Sequence, residues 1–286
     1  MAADGHLPDW FLHLNRWKVP KWATIAAWLV GALFLIPYPA WVYLATFISS
    51  TTVTTYIVTG ASVVVLRRTA PNAPRPFKLP VAYLMGALAF IFAFLIPYWA
   101  GFTTYWGVFA LILAGLPFFY MYTAANRFGI RRLNAAVLGI IYWIILGLST
   151  WFLIYQDIIV PYNAASASGT ALTFSMKYFT PFITYWVLML IVTVIFTYII
   201  HMWANEEGKR HISSGWWAVA MLFSVLILDF VGPFSVWKSP PLPFPWDTVT
   251  AAIIALALFF WSVYSGILTK DLEIVLKEMG VIKEKK

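Results

Sequence analysis

Residues 66–80 read LRRTAPNAPRPFKLP: four cations, four prolines and no acid between two apolar runs. In a chain that is only 10% charged, such a cluster needs a reason. The composition supplies one. The 286 residues are 62% hydrophobic and the mean hydropathy is +0.81, whereas a soluble domain is nearer half apolar and about a quarter charged. That much apolar surface cannot be hidden from water inside one fold, so the chain reads as an integral membrane protein. Aromatic residues make up 19%, including 16 Trp, as suits many membrane–water boundaries. Cysteine is absent, which excludes disulfides, thiolate nucleophiles and thiolate metal sites.

Outward from the cluster, eight hydrophobic segments follow one another: Trp22–Tyr38, Trp41–Leu66, Leu79–Pro97, Thr103–Thr123, Asn134–Tyr155, Phe179–Trp203, Ser214–Phe234 and Asp247–Leu268. Each is close to the ~20 residues a helix needs to cross the hydrocarbon. None shows the ~10-residue alternation of barrel strands. The fold class is therefore all-α integral membrane, with about eight transmembrane helices. The first two segments, joined through Pro37–Tyr38–Pro39, read as a tight helical hairpin. Cations sort by connector. Arg16, Lys18 and Lys21 precede the first span, and residues 66–80 follow the second. Arg127, Arg131 and Arg132 follow the fourth, Lys209 and Arg210 the sixth, and Lys270, Lys277, Lys283, Lys285 and Lys286 the eighth. Seventeen cations fall on one side and only Lys177 and Lys238 on the other. By the positive-inside rule, both termini are expected in the cytoplasm, with the protein in the cytoplasmic membrane. Spread over every inner connector, the basic charge forms no single patch, and nucleic acid is excluded as a partner; the lipid bilayer is the expected one.

Residues 1–21 lack the basic leader, apolar core and cleavage site of a signal peptide. Trp10, Phe11, Leu14 and Trp17 fall at helical spacing and predict a short interfacial helix. The connector Gln156–Tyr178 is small and polar in its middle and reads as a flexible loop, while SVWKSPPLPFPW at 235–246 reads as extended and stiff. The tail Lys270–Lys286 reads as a short amphipathic helix.

Few polar residues lie within the spans. Asp229, in LFSVLILDFVGPF, is the one clear intramembrane acid. It could relay a proton or cation, or be an acid near an outer vestibule, hydrogen-bonded where Gly232–Pro233 breaks the backbone. His201 lies at the inner end of span six with no intramembrane histidine partner, so bis-histidine haem ligation fails. Span two carries a hydroxyl-rich run, FISSTTVTTYIVTG, in which Ser49, Thr52, Tyr56 and Thr59 share one face. Such a stripe either lines a substrate path or bonds back to its own helix and eases packing. Zinc-protease, serine-elbow and phosphate-loop motifs are absent, and acids do not pair within a span, so no enzyme, cofactor or metal is expected.

The series LPDWFLHLNRWKVPKWAT and ISSTTVTTYIVTGASVVVLRRTAPNAPRPFKLP resembles the amino acid–polyamine–organocation permease family. The likeness runs over residues 7–100 and rests on Val19–Pro20, Leu66–Arg67 and Arg75–Pro76–Phe77 in order and spacing. The resemblance implies a cytoplasmic segment over 1–21, counterparts of permease helices nine to twelve over 22–123, four further transmembrane helices over 124–268 and a cytoplasmic tail over 269–286. It implies secondary transport of an amino acid or related amine, driven by H⁺ or Na⁺, with the stripe bordering an outer gate. Family members hold substrate on glycine-rich broken helices of an inverted repeat. Here Gly31, Gly60, Gly86 and Gly101 are isolated. The expectation is thus the C-terminal part of a permease, either a split-gene product whose N-terminal half, on another chain, supplies the substrate site, or a truncated remnant. A non-transporting accessory or structural subunit is the first alternative. A membrane enzyme acting on lipids is the second, and it lacks the acid clusters it would need.

Overall fold

The structure, a computed structural model, describes residues 7–34 and 41–278. After a 3₁₀ turn at Asp9–Leu12, twelve helical segments follow among these residues. They are α1 (Lys21–Phe34), α2 (Trp41–Thr69), α3 (Ala82–Trp99), α4 (Phe102–Phe118), α5 (Ala125–Arg127), α6 (Arg132–Ser149), α7 (Val160–Ala167), α8 (Met176–Trp203), α9 (Glu206–Ser214), α10 (Trp216–Val231), α11 (Trp246–Ser265) and α12 (Lys270–Glu278). Widened π-helical turns at Phe119–Ala124 and Thr150–Ile159 join α4 to α5 and α6 to α7 without a break. Seven helices are long and apolar enough to cross a membrane. They match the last seven hydrophobic segments. The first segment appears as α1, 14 residues long, and the rest of it, with the Pro37–Tyr38–Pro39 turn, lies outside the described residues.

Two local readings change, and a third holds over the described residues. The aromatic face at Trp10–Trp17 does not make a helix beyond the four-residue 3₁₀ turn. The Asn15 side chain accepts the Trp17 and Val19 backbone N–H groups at 2.9 and 3.1 Å, Lys18 takes φ 58°, and Leu14 bridges back to Pro20. A side-chain oxygen that captures nearby amides competes with the helix for them. The stretch from Gln156 is no loop until after Ala167. Ile154, Ile158 and Ile159 continue the buried face past exposed Asp157, and Pro161 follows directly on the π-helical turn. The helix then stops in a Schellman motif: Gly169 has φ 70°, its N–H donates to Ser166, and Thr170 donates to the Ala165 carbonyl. The amphipathic tail is helical over Lys270–Glu278, and 279–286 lie outside the described residues.

The most extensive helix pairing is α2 against α3. On α2, Phe47, Ser50, Thr54, Ile57, Ala61 and Val64 recur every three or four residues and are buried. Two glycines that look isolated in the sequence meet at this crossing. A Cβ on Gly60 would lie 2.7 Å from the Gly86 carbonyl oxygen, and one on Gly86 would lie 2.7 Å from that of Gly60. Without a hydrophobic drive between helices in lipid, such small-residue contacts are what let backbones approach and pack. Behind α3, a core rich in fully buried aromatic rings (Phe90, Phe94, Phe102, Phe109, Phe182, Phe230) joins α3, α4, α8, α10 and α11.

The cation-bearing connectors gather at one end of the bundle. Arg68 on α2 donates to the Tyr264 and Gly266 carbonyls at 3.1 and 2.7 Å. Lys270 pairs with Glu207 at 2.5 Å, and the Asn205 N–H donates to Phe128 at 3.0 Å. At the other end, the Phe102 N–H donates to Phe234 at 3.1 Å, and the Lys238 N–H donates to Leu172 at 2.8 Å. From α2 onward, the alternation of cation-rich and cation-poor connectors is thus an alternation of ends. Within 66–80, Arg75 folds its guanidinium back and donates to the carbonyls of Leu66, Ala70, Pro71 and Ala73 at 2.7–3.1 Å. The Leu66 carbonyl in the last turn of α2 also accepts the Ala70 N–H at 3.0 Å, so Arg75 adds a second donor there and ties the following connector to the helix end, where a cation meets the negative end of the helix dipole. The cluster therefore caps α2 as well as marking a side.

Two outcomes are expected. Gly86→Ala should destabilise the detergent-solubilised protein by about 1–3 kcal/mol, the usual cost of overpacking, measured by thermal unfolding. Gly115→Ala, with nothing within 4 Å of the added methyl, should be harmless. Arg75→Ala should cost a similar ~1–3 kcal/mol for its lost carbonyl contacts. Arg75→Lys should recover only part of that, because an ammonium cannot fork.

Candidate functional site

The helix ends opposite the cation-bearing connectors enclose a group of polar side chains that the lipid-facing surface does not reveal. Asp229 lies two residues before the end of α10 and Asp247 in the first turn of α11. Both are fully buried, as are Tyr98 near the end of α3 and Tyr105 in α4. The segment between α10 and α11 lies against Tyr98, with the Phe234 ring edge-on to the Tyr98 ring at 5.6 Å. Phe230 O accepts from the Ser235 hydroxyl and the Trp237 indole N–H at 2.7 and 2.6 Å, and the Leu242 N–H returns to Val231 at 3.0 Å. Gly101 makes the fit possible. Its φ is 81°, and a Cβ there would lie 2.6 Å from the Phe234 carbonyl oxygen.

Within the group, the Tyr98 hydroxyl donates to Asp247 Oδ2 at 2.6 Å, and the Thr248 hydroxyl donates to the same oxygen at 3.0 Å. Asp247 also sits at a helix N-terminus, where negative charge is favoured. Asp229 has none of this. Both its oxygens are buried without a hydrogen-bond partner, as are Asp247 Oδ1 and the Tyr105 hydroxyl. Tyr98 lies within electrostatic reach of both carboxyls, and Tyr105 within reach of Asp229. A Cβ on Gly232 would come within 2.6 Å of the Tyr98 hydroxyl, so the glycine leaves room for that oxygen. Among the described residues, no neighbouring helix supplies Asp229 with a hydrogen bond. An ionised, unpaired carboxylate at such a position is costly by several kcal/mol.

Sequence reasoning found Asp229 and missed the rest. Asp247 opens a hydrophobic segment and reads as a solvated acid at a helix start. Tyr98 and Tyr105 read as aromatic residues near a boundary. All are buried where α3, α4, α10 and α11 pack together. Among the described residues, no group of three His, Cys, Asp or Glu is placed to hold a metal.

The hydroxyl stripe lies elsewhere. Ser49, Thr52, Tyr56 and Thr59 are all exposed on the face of α2 turned away from α3, with Tyr56 58% exposed. The Thr52 hydroxyl donates to the Ile48 carbonyl at 2.8 Å, and Thr51, Thr54, Thr55 and Ser62 likewise bond back within α2. Asp229 and the stripe therefore do not form one site within this chain: the acid is enclosed and the stripe faces outward. His201, at the end of α8, shares a 3.2 Å hydrogen bond with the Ser213 hydroxyl and stacks on Tyr198, as an interfacial polar residue would.

Comparison with known proteins finds no matching family model and no matching solved structure. Two curated relatives, both from Bacillus subtilis (strain 168), are similar. The glutamate/serine transporter AimA is 34% identical over 146 residues, covering 50% of this chain and 27% of AimA. The aspartate-proton symporter is 22% identical over 269 residues, covering 93% of this chain and 37% of the symporter. The matched region is well under half the length of either relative. With seven membrane-crossing helices, the chain is a multi-pass membrane protein similar to amino acid transporters.

Proposed function

We propose that this chain is the C-terminal part of a secondary amino acid transporter of the amino acid–polyamine–organocation type. Residues 22–123 would correspond to permease helices nine to twelve and 124–268 to four further helices. The substrate would be an amino acid, with acidic and small hydroxylated ones favoured by the descriptions of the two relatives. The cargo site would lie on helices outside this chain, on a separate N-terminal half, and the cation-bearing end would face the cytoplasm. H⁺ is favoured over Na⁺ as the driving ion, because one relative is described as a proton symporter.

The observation that carries this reading is the outward stripe on α2. Ser49, Thr52, Tyr56 and Thr59 present hydroxyls on a face no described helix covers, while the opposite face is packed against α3. Polar side chains within spans face protein or water far more often than hydrocarbon. A partner helix bundle, with a substrate path between, meets that requirement. Asp229 would be a proton-linked residue on the same polypeptide, remote from the cargo.

The alternative, an accessory subunit without transport of its own, is favoured by one feature: each described span is continuous, with π-helical widening but no unwound stretch. Reconstitution separates the two. The chain alone in liposomes should take up no glutamate, serine or aspartate, and native membranes containing its partner should do so under an inward proton gradient. Thr52→Ala combined with Tyr56→Phe should lower that uptake by about tenfold, the equivalent of ~1.4 kcal/mol. Uptake by the chain alone would overturn the split arrangement, and unchanged uptake in the double variant would return the stripe to packing.

A further inference from the structure

The connector at 66–80 does more than end α2. Three of its four cations, Arg67, Arg75 and Lys78, line a surface cleft of about 300 Å³ together with Pro71. Arg75 is engaged there already. Both its terminal nitrogens donate to carbonyls of residues 66–73, so it brings charge to the cleft and holds one wall in place. Arg67 and Lys78 are not engaged: among the described residues, neither has a hydrogen bond or an ion pair. No acid occurs in 66–80. At the same end of the bundle, Glu206, Glu207 and Glu273 are paired with Lys209, Lys270 and Lys277. Three cations thus converge on one cleft without a counter-charge.

The helices around the cleft set its level. α2 closes at Thr69 and α3 opens at Ala82, and both are long and apolar enough to cross a membrane. The chain between them lies past the end of the ~30 Å of hydrocarbon, among the lipid headgroups. Next to the two unengaged cations in the chain, Leu66 and Phe77 are exposed, Phe77 at 72%. Val81 and Leu84, at the start of α3, are exposed as well. The surroundings therefore suit a ligand that is anionic at one end and apolar at the other.

We propose that this cleft binds the phosphate of one anionic phospholipid, with Arg67 and Lys78 as its donors, Arg75 as the positioning residue, and Leu66 and Phe77 against the beginning of the acyl chains. A guanidinium offers a fork that fits two phosphate oxygens, and an ammonium adds a point charge. Headgroup charge selects among lipids. A zwitterionic headgroup carries a cationic nitrogen beside its phosphate, and three cations with no acid repel it. Basic pockets at helix ends hold anionic headgroups in this way. Free phosphate would satisfy the cations but leave Leu66 and Phe77 without a partner. Sidedness depends only on how many cations a connector carries; binding depends on which ones and on their shape. Cargo and a partner chain play no part in it.

Native mass spectrometry of the purified full chain, titrated with phosphatidylglycerol or phosphatidylcholine, reads the affinity of the first lipid retained. Wild type should hold one phosphatidylglycerol at least about tenfold more tightly than phosphatidylcholine. Arg67→Gln and Lys78→Gln should each remove about fivefold of that preference, the equivalent of ~1 kcal/mol for a cation at an anionic surface. Arg67→Lys keeps the charge, and so the sidedness, but should lose part of the preference because an ammonium cannot fork. Arg131→Gln, an equal loss of charge on another connector, should leave it intact. Equal affinity of the wild type for the two lipids would overturn the site, whatever the folding of the variants. Undiminished preference in both Arg67→Gln and Lys78→Gln would do the same. An equal loss in Arg131→Gln would reduce the effect to overall charge and also overturn it. Inorganic phosphate should not displace the lipid at equal concentration; displacement would make this a free-phosphate site and overturn the lipid assignment.

Discussion

In hydrocarbon no water is available to a backbone N–H or C=O, so every such group must find its partner inside the protein. Here, that constraint explains more than the presence of helices. It governs how they end. Arg75 draws four carbonyls around its guanidinium at the close of α2, and Arg68 reaches from the same helix to the last turn of α11. Gly169 ends α7 in a Schellman motif. The same cations that mark one side of the bundle thus complete the hydrogen bonding of the helices they terminate, and two of the connectors are tied to each other by doing so.

Between those ends, packing relies on closeness and aromatic area. The Gly60–Gly86 approach lets α2 lie on α3 nearly backbone to backbone. Further in, the spaces between α3, α4, α8, α10 and α11 are filled by phenylalanine and tyrosine rings, with Phe182 and Phe230 stacked at 3.7 Å. Buried hydroxyls are mostly satisfied within this core: Tyr142 pairs with Thr193, Tyr120 with Thr197 and Tyr185 with Thr150. Against that background, the unpartnered oxygens of Asp229 stand apart. With Asp247 Oδ1, the Tyr105 hydroxyl and the Trp106 indole N–H, they are the departures from that rule among the described residues, and such departures concentrate where a protein does something.

The proposed division of labour follows from which faces are closed and which are open. The face of α2 packed on α3 is shut by glycine contact, and the opposite face keeps its hydroxyls outward. The acid group lies instead where α3, α10 and α11 pack together. A transporter part built this way would border a cargo path with one surface and keep a proton-linked acid away from it, with α3, which touches both α2 and α11, as the element they share.

Hydropathy and charge by themselves determined the all-helical membrane fold, the approximate limits of seven of its spans and the sharing of ends by the basic connectors. These are properties of segments, and a segment's transfer free energy is a sum over its own residues. They also picked out Asp229 and the stripe, because a polar side chain in an apolar run is visible without a neighbour. What only the tertiary structure decided was everything that depends on a residue far away in sequence. The aromatic face at Trp10–Trp17 yields to Asn15, and the apparent loop after Tyr155 is helix because Ile158 and Ile159 have a core to enter. Gly60 and Gly86 acquire meaning only as a pair. Asp247 is a helix-start acid until Tyr98, 149 positions away, donates its hydroxyl to it in the packed bundle. Burial of that kind is set by which elements cross and what covers them, and no local pattern encodes it.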